Sequence, residues 1–346
     1  MIGRLFCALL FLTSPLSAQG FAGLGTDAEG FSVPAEGFDF DFPTDHGPHP
    51  DYRIEWWYLT ANLQADDGTS YGVQWTLFRS ALAPETTEGW QDPQIWFAHA
   101  AVTSEDTHLT AERIARGGIG QAGAQANPFT AWIDDWAMEG PSFDAMRLTA
   151  RGAQFAYDLD LTAQGPLVFH GQNGYSVKSD QGQASYYYSQ PFFEVAGTLS
   201  LPDGDVAVTG SAWLDREWSS QPLAEDQSGW DWFSLSFDSG DKLMGFLLRD
   251  RDGDAFSSAT WIEPDGTTTA FENGAFAAQP VTLTEVAGRE VPTTWAVQLP
   301  AKGIDVEVSA LNPMAWMGVS IPYWEGPVTV SGSYSGVGYL EMTGYE

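Results

Sequence analysis

The segment IEWWYLTANL, residues 54–63, carries the pattern that decides the fold. It turns into YGVQWTLFR at residues 71–79, so a strand with one acid among aromatics precedes an apolar strand that ends in arginine. The same pattern returns in WDWFSLSF at residues 230–237 and LMGFLLR at residues 243–249. Two alternating runs joined by a short turn are typical of an antiparallel hairpin, and the recurrence half a chain later predicts a duplicated β-domain.

The rest of the chain repeats short alternating segments separated by Asp-Gly turns, at 67–68, 203–204, 252–253 and 265–266. Asp-Gly is a favoured turn dipeptide of antiparallel hairpins. Helical periodicity is nearly absent, and the one candidate helix, residues 107–116, stops at a glycine pair. The sequence therefore predicts an all-β fold, with two tandem antiparallel β-barrel or sandwich domains and one or two short helices.

Four segments are predicted along the chain. Residues 1–18 read as a signal peptide, because one basic residue precedes a short apolar run and a small-residue cleavage site ends at Ala18. The apolar run is too short to cross the ~30 Å hydrocarbon core of a membrane. Residues 19–48 form an extended lead-in, residues 49–202 an N-terminal β-domain and residues 203–346 a C-terminal β-domain. Cleavage after Ala18 would give a periplasmic or secreted protein.

Acidic residues dominate the charged side chains, with 46 Asp and Glu against 14 Lys and Arg and a formal net charge of −32. Such a chain would repel a phosphate backbone or an anionic lipid surface, so nucleic acid is excluded as a partner. No stretch after the signal peptide approaches the length of a membrane span, which argues against an integral membrane protein. The content of 43% hydrophobic and 14% aromatic residues predicts packed cores rather than disorder.

Glu55 and Asp231 are acids on otherwise apolar strand faces. Because side chains alternate along a strand, Glu55 shares its face with Trp57, and Asp231 shares its face with phenylalanine and leucine. A buried carboxylate must be paired or protonated. Either each acid pairs with the arginine that ends its hairpin, Arg79 or Arg249, or one acid is a general acid of raised pKa facing a cavity.

A second charged cluster lies in WLDREW, residues 213–218. On a strand, Asp215 and Glu217 share one face, while Arg216 shares the other face with Trp218. Arg216 could clamp a carboxylate or stack on Trp218, or the cluster could be a solvated strand end with local ion pairs.

Lysine, tyrosine and histidine side chains elsewhere could line a pocket. Lys178 ends GYSVK at residues 174–178, and Tyr188 lies in SYYYS at residues 185–189. Tyrosines that alternate with small residues can present apolar bodies and hydroxyl tips to a ligand, or they can be ordinary sheet aromatics. His99 is either a core histidine with a satisfied ring or a pocket residue.

Standard catalytic motifs are absent from the sequence. It contains no G-x-S-x-G, no H-E-x-x-H and no Gly-rich phosphate loop between a strand and a helix. The five histidines lack a tight ligand spacing, and the one cysteine, Cys7, lies in the predicted signal peptide. The sequence therefore predicts no metal site and no cofactor.

A set of motifs in fixed order resembles a known family. The set contains HP, EWWY, GYSVK, YYS, WLDREW, GWDWF, YWEG and GYLEMTGY, beginning at residues 49, 55, 174, 187, 213, 229, 323 and 338. Over residues 45–346 the chain is similar to the AttH-like and carotenoid 1,2-hydratase-related proteins. The resemblance implies two lipocalin-like β-barrels in tandem, secretion, and association with an ABC transporter of the lipoprotein-releasing type.

The carotenoid hydratase branch of that family implies an enzymatic alternative. Its members are thought to add water to a terminal isoprenoid double bond without a cofactor, and related fungal proteins cyclise polyenes. Protonation by a buried acid would form a tertiary carbocation, which aromatic faces can stabilise. The hydratase branch has a histidine near the position of Arg216, whereas an arginine is a poor proton donor.

Three functions are expected, in order of preference. The first is a periplasmic or secreted protein that holds a hydrophobic, isoprenoid- or lipid-like ligand at the domain interface and serves an ABC transport system. The second is a cofactor-independent hydratase or cyclase of isoprenoids or polyenes, with Asp231 or Asp215 as general acid and Trp218 as cation stabiliser. The third is a structural envelope protein with filled barrels and no ligand. The expected ligand-binding side chains are Glu55, Trp57, His99, Lys178, Tyr188, Arg216, Glu217 and Trp232.

Overall fold

The computed structural model describes residues 28–253 and 255–345. The predicted signal peptide, residues 1–18, and its cleavage site lie outside these residues. Nearly all of the regular structure is β-strand, which confirms the predicted all-β class. The helices of the described chain are short 3-10 turns at Thr44–His46, Gly89–Gln91 and Pro300–Lys302.

The first sheet curls into a barrel-like domain and contains 13 strands of the described chain. These strands are β1 (Ile54–Ala65), β2 (Ser70–Ala81), β3 (Gln94–Thr103), β4 (His108–Arg116), β5 (Ala122–Gln125), β6 (Phe129–Ile133), β7 (Trp136–Ser142), β8 (Ala145–Arg151), β9 (Ala156–Ala163), β10 (Val168–Phe169), β11 (Tyr175–Val177), β12 (Ala184–Leu201) and β13 (Gly204–Ser219). Their antiparallel path is β4-β3-β2-β1-β13-β12-β9-β8-β7-β6-β5, and β10 and β11 pair with β12.

The second sheet also curls into a barrel-like domain and contains ten described strands. They are β14 (Gln227–Phe237), β15 (Lys242–Asp250), β16 (Ala255–Ile262), β17 (Thr268–Phe271), β18 (Ala277–Val286), β19 (Arg289–Leu299), β20 (Ile304–Ala310), β21 (Trp316–Met317), β22 (Tyr323–Gly332) and β23 (Gly336–Met342). The path is β17-β16-β15-β14-β23-β22-β20-β19-β18, with β21 beside β22. The two sheets together confirm the tandem lipocalin-like architecture.

The chain passes from one sheet to the other later than the sequence predicts. The expected boundary between residues 202 and 203 falls in the turn between β12 and β13, and both of these strands belong to the first sheet. Strand β13 also pairs with β1 over residues 208–219, so the WLDREW segment lies within the first sheet, between β1 and β12. The chain leaves the first sheet after Ser219 and enters the second sheet at Gln227. The Pro-Asp-Gly turn at residues 202–204 closes the β12–β13 hairpin and does not separate domains.

The predicted helix at residues 107–116 is wrong, since this segment forms β4 and pairs with β3. Its apolar residues Leu109, Ala111 and Ala115 fall at alternate positions and face the interior of the first sheet. A period of two fits a strand better than a helix, and pairing with β3 satisfies the backbone. Pairing with β3 therefore determines the secondary structure of a segment whose local propensity is ambiguous.

Each sheet encloses its own core, and a third apolar cluster lies between the sheets. The first interior is built on Trp57, Leu59 and other alternate residues, while the second is built on Phe233 and Leu235. Residues that alternate with these interior residues along the strands, such as Tyr58 between Trp57 and Leu59, point outward into the third cluster. Strand alternation thus sends neighbouring residues of β1, β13 and β14 into different environments.

Candidate functional site

The outer faces of the two sheets meet around a cleft with a volume of about 230 Å³. One wall comes from β1–β3 and β13, and the other comes from β14, β15 and β23. The lining is mostly apolar with a small number of polar groups, as in small-molecule sites. Its principal aromatic side chains are Trp56, Phe78, Phe97, Trp230, Trp232 and Phe246.

Asp215 on β13 is the centre of a hydrogen-bond network at the cleft. Tyr187 Oη donates to its Oδ2 over 2.8 Å, Trp213 Nε1 donates to its Oδ1 over 2.6 Å, and Ser189 Oγ also donates to Oδ1. Burial raises the pKa of Asp215 from 3.8 to about 7, although these three hydrogen bonds act to lower it. Asp215 therefore titrates near neutral pH instead of remaining a fixed anion.

Two chains of hydrogen bonds connect Asp215 to the second sheet. Trp232 Nε1 donates to Tyr187 Oη over 3.1 Å. His170 contacts Ser189 Oγ through Nε2 at 2.6 Å and Thr260 Oγ1 through Nδ1 at 3.0 Å. When the Ser189 hydroxyl donates to the Asp215 carboxylate, Ser189 Oγ can accept a hydrogen bond from His170 Nε2. Burial lowers the pKa of His170 well below 6.5, which keeps its ring neutral.

Lys178 and Glu217 form an ion pair at the same wall of the cleft. Lys178 Nζ lies 2.9 Å from Glu217 Oε1, and Ser185 Oγ donates to the same oxygen. The ammonium also lies 4.3 Å from the ring centroid of Phe246 and 4.9 Å from that of Tyr187. The charge of Lys178 is thus already balanced by protein groups.

Glu325 and Glu341 form a carboxyl pair that was not selected from the sequence. They are direct cross-strand neighbours on β22 and β23, and Glu341 lines the cleft. Tyr58 Oη donates to Glu325 Oε1 over 2.5 Å, while Trp230 Nε1 donates to Glu341 Oε1. Burial raises the pKa of Glu341 to about 7 and the pKa of Glu325 well above 4.5. Burial therefore favours the protonated form of both carboxyls.

The sequence did contain a signal for this pair. Glu325 lies in YWEG and Glu341 in GYLEMTGY, and each acid alternates with apolar residues just as Glu55 and Asp231 do. The sequence does not show that β22 pairs with β23, and it is this pairing that places the two acids opposite each other.

His99 and Trp232 are the remaining predicted side chains that the structure places at the cleft. His99 is buried, with Nδ1 3.0 Å from Tyr323 Oη and Nε2 3.3 Å from Glu112 Oε1. Burial lowers the pKa of His99, against the raising effect of Glu112. The cleft therefore unites His99, Lys178, Asp215, Glu217 and Trp232.

The other predicted residues of the first sheet lie in its interior, on the opposite face of the same strands. Glu55 pairs with Arg79 and with Arg216, whose Nη2 lies 3.1 Å from Glu55 Oε2. The Arg216 guanidinium stacks 3.9 Å from the ring of Trp57. Burial acts to raise the pKa of Glu55, but Arg79, His49 and Arg216 together hold it well below 4.5. This is the structural ion pair that the sequence offered as one reading of Glu55.

Trp218 and Tyr188 hold the lead-in segment against this interior. Trp218 stacks on His49 with ring centroids 3.8 Å apart. Tyr188 Oη donates to the backbone carbonyl of Asp45 over 3.1 Å and lies 2.7 Å from His46 Nδ1. Neither side chain lines the cleft.

Asp231 lies in the interior of the second sheet and does not line the cleft. It pairs with Arg249, which is one of the two alternatives that the sequence left open, and it accepts a hydrogen bond from Tyr345 Oη over 3.0 Å. Burial raises the pKa of Asp231, against the lowering effect of Arg249. The geometry separates Asp231 from Asp215, the two acids expected to act at one site.

Within residues 28–253 and 255–345, no group of three or more His, Asp or Glu side chains is arranged to hold a metal ion. In the same residues, no helix has the length and apolar character needed to cross a membrane.

Comparison with known proteins identifies similar chains. The family model described as AttH-like matches residues 33–345. The AttH-type protein of Nitrosomonas europaea is 32% identical, with a TM-score of 0.83 over 91% of this chain and 100% of that one. No curated protein matches the chain by sequence.

Two more distant structures share the fold. Kievitone hydratase from Nectria haematococca is 15% identical, with a TM-score of 0.68 over 91% of this chain and 96% of that one. CghA in complex with Sch210972 is 12% identical, with a TM-score of 0.53 over 86% of this chain and 89% of that one. At these identities the likeness concerns the fold alone.

Proposed function

The chain belongs to the AttH-like family, and we propose that it binds a neutral hydrophobic small molecule in the cleft between its two sheets. The observation that carries this proposal is the composition of the cleft wall. Aromatic side chains surround carboxyl groups that have no arginine partner, in contrast to Glu55 and Asp231. Protonated carboxyls and tyrosines can donate hydrogen bonds to a neutral oxygen of a ligand without the cost of burying a charge.

The interior of the first sheet is a poor alternative site because protein side chains fill it. Its core includes Trp57, Trp75 and Trp136, all fully buried. At one end, Phe38 and Phe40 from the lead-in pack against Trp218, with ring centroids 6.0 and 5.7 Å away. A ligand there would have to displace part of the fold, whereas the cleft is open.

Binding can be tested with a neutral apolar probe, 1-dodecanol, titrated by calorimetry against matched tryptophan variants. Trp232→Ser removes a cleft wall, whereas Trp90→Ser removes an exposed tryptophan away from the cleft. We expect affinity to fall about tenfold or more for Trp232→Ser and to be unchanged for Trp90→Ser. Equal binding by the two variants, or no binding by the wild type, would refute the proposal and favour an envelope protein without a ligand.

A second candidate function is a cofactor-independent hydratase or cyclase. It is favoured by two acids of the cleft, Asp215 and Glu341, whose surroundings differ. Asp215 accepts three hydrogen bonds, which suits a proton acceptor, whereas Glu341 is buried opposite a second carboxyl, Glu325, which favours its protonated form and suits a donor. The pKa values of Asp215 and Glu341, both about 7, suit proton transfer near neutral pH. In this scheme Asp215 is the proton acceptor and not the general acid expected from the sequence, and Glu341 takes the role of general acid. Asp231 and Trp218 have no role in it, because neither lines the cleft.

This activity has a direct readout in mass spectrometry of an isoprenoid-rich lipid extract incubated with the protein. An enzyme would give a product heavier by one water, or an isomer with a new retention time. The product should disappear with Asp215→Asn and with Glu341→Gln but persist with Asp231→Asn. A product that survives the first two variants would reject this assignment, and an unchanged extract would leave the binding role.

The proposed cellular role is that of a periplasmic or secreted carrier for an ABC transport system of the lipoprotein-releasing type. It rests on the predicted signal peptide and on the family resemblance. N-terminal sequencing of the protein from its native host should find a chain that begins after Ala18. Cross-linking in the envelope should recover transporter subunits, and a full-length protein recovered without them would refute this role.

A further inference from the structure

A row of side chains crosses five neighbouring strands on the outer face of the first sheet. Its members are direct cross-strand partners: Glu217 on β13, Trp56 on β1, Phe78 on β2, Phe97 on β3 and Ile114 on β4. Directly opposed residues in antiparallel strands project from the same face. With neighbouring strands about 4.8 Å apart, the row spans roughly 19 Å. The last four residues are here named the apolar row.

The row changes from polar to apolar from its inner end to its outer end. At the inner end Glu217 carries the ion pair with Lys178. Phe78 and Phe97 line the cleft and stack with ring centroids 4.6 Å apart. At the outer end Ile114 is 58% exposed on β4, the strand at the end of the sheet path. The cleft wall therefore continues onto the surface as apolar side chains.

The second sheet supplies a boundary along one side of the apolar row. In the adjacent cross-strand row, His99 stands beside Glu112, which accepts a hydrogen bond from Ser320 Oγ over 2.7 Å. Ile321, next in sequence, lines the cleft. The segment between β21 and β22 thus covers the adjacent row and lies alongside the apolar row.

The size of the cleft gives a reason for this extension. Its volume of about 230 Å³ is below the ~300–1,000 Å³ that usually encloses a drug-sized ligand. A longer apolar molecule would have to continue beyond the cleft. Single exposed apolar residues are common on protein surfaces, but Ile114 is in register with three aromatic residues of the wall.

We propose that the apolar row binds the hydrocarbon tail of an elongated, neutral amphipathic ligand, whose polar end lies beside Lys178, Glu217 and Asp215. The proposal rests on the proposed binding function and adds the shape of the ligand and its orientation in the cleft. Longer tails gain affinity because each further methylene covers apolar surface of the row.

The test is a titration of 1-octanol, 1-decanol, 1-dodecanol and 1-tetradecanol against the full chain. In the wild type, affinity should rise roughly twofold to fourfold per added methylene. Ile114→Ser should reduce the tetradecanol-to-octanol affinity ratio by about threefold to tenfold and leave octanol binding unchanged. Ile114→Trp, which enlarges the outer end, should preserve or raise the ratio.

Val281→Ser is the matched control, because Val281 is 56% exposed on β18, outside the cleft. It should leave the whole series unchanged. If the alcohols bind but Ile114→Ser leaves the ratio unchanged, or weakens all lengths equally, the apolar row has no tail site and the proposed function stands. If no alcohol binds, the proposed function fails and the tail site fails with it.

Discussion

The buried carboxyl groups fall into two classes according to their cationic partners. Glu55 and Asp231 each face the arginine that ends their own hairpin, inside a sheet interior. Asp215 and Glu341 face the cleft and have only neutral donors. The arginine partner stabilises a charge that burial would otherwise remove, whereas neutral donors leave the carboxyl free to hold a proton. This difference is why we propose the cleft, and not the sheet interiors, as the functional site.

Removing the carboxylate of Glu55 should destabilise the fold strongly. Glu55→Gln leaves Arg79 and Arg216 buried without a counter-charge, so we expect the free energy of unfolding to fall by about 3–5 kcal/mol. Urea unfolding followed by circular dichroism measures the loss. Asp215→Asn is the control, since it removes no ion pair and should cost much less. Equal losses of unfolding free energy in the two variants would show that the buried ion pairs of Glu55 do not stabilise the fold more than the hydrogen bonds of Asp215 do.

Asp215 should also leave a signature in the pH dependence of stability. The folded-state pKa of about 7 exceeds the ordinary 3.8, so between these values the folded protein holds a proton that the unfolded chain releases. Its stabilising contribution is therefore complete below pH ~4 and is lost as the pH rises through ~7. His46 and His108 have lowered pKa values and act in the opposite direction, so the informative quantity is the difference between two proteins.

The measurement is urea unfolding of the wild type and Asp215→Asn at several values between pH 4 and pH 8. The variant should gain stability relative to the wild type as the pH rises. A difference that is constant across this range would mean that Asp215 is ionised throughout and could not serve as a proton carrier.

Strand β13 shows how far alternation can be read from sequence. The sequence correctly separates Asp215 and Glu217 from Arg216 and Trp218 on opposite faces. It could not tell which face belongs to a cleft, because both faces of this strand are buried against protein. It also placed both faces in one pocket, whereas in the structure Asp215 and Glu217 line the cleft and Arg216 and Trp218 lie in the interior of the first sheet.

The lead-in behaves as a structural element of the first domain although it has little regular structure. Phe40 contacts Phe38, Phe42 and Tyr188, with ring centroids 5.0, 6.0 and 5.8 Å away, and it approaches Trp218 as described above. This packing closes one end of the interior of the first sheet. The segment that the sequence suggests is a loop therefore packs against the core of the first sheet through partly buried phenylalanines.

Phe40→Ser should lower the free energy of unfolding by about 2 kcal/mol, because it exposes aromatic surface and places a hydroxyl among rings. Val33→Ser, at a position that is 62% exposed in the same lead-in, is the control and should have little effect. Thermal and urea unfolding of both variants make the comparison. No loss for Phe40→Ser would show that the lead-in is not part of the cooperative fold.

At the scale of the molecule, sequence patterns predicted two tandem β-domains, and the structure confirms them. The recurring hairpin marks β1–β2 and β14–β15, which occupy equivalent places in the two sheets and carry equivalent acid–arginine pairs. The boundary could not be read, since one Asp-Gly turn resembles another whether it closes a hairpin or separates domains. The position of the cleft could not be predicted from the sequence either, because its lining residues are distant from one another along the chain.

The large negative charge should make stability depend on salt. A formal charge of −32 on one chain produces self-repulsion in the compact state, and added salt screens it. We expect the Tm to rise when NaCl increases from 0.02 M to 0.5 M. Differential scanning calorimetry gives the value, with sucrose of equal osmolality as the control. A Tm that is constant or falls with NaCl would show that repulsion is unimportant.

The most direct test of the central claim is mass spectrometry of the protein purified from its native host, first intact and then after solvent extraction. The account predicts one dominant neutral, elongated lipophile in the extract of the wild type, and its loss from Trp232→Ser but not from Trp90→Ser. Wild-type protein that carries no lipophile, or a lipophile retained equally by both variants, would contradict the assignment of the cleft as the binding site.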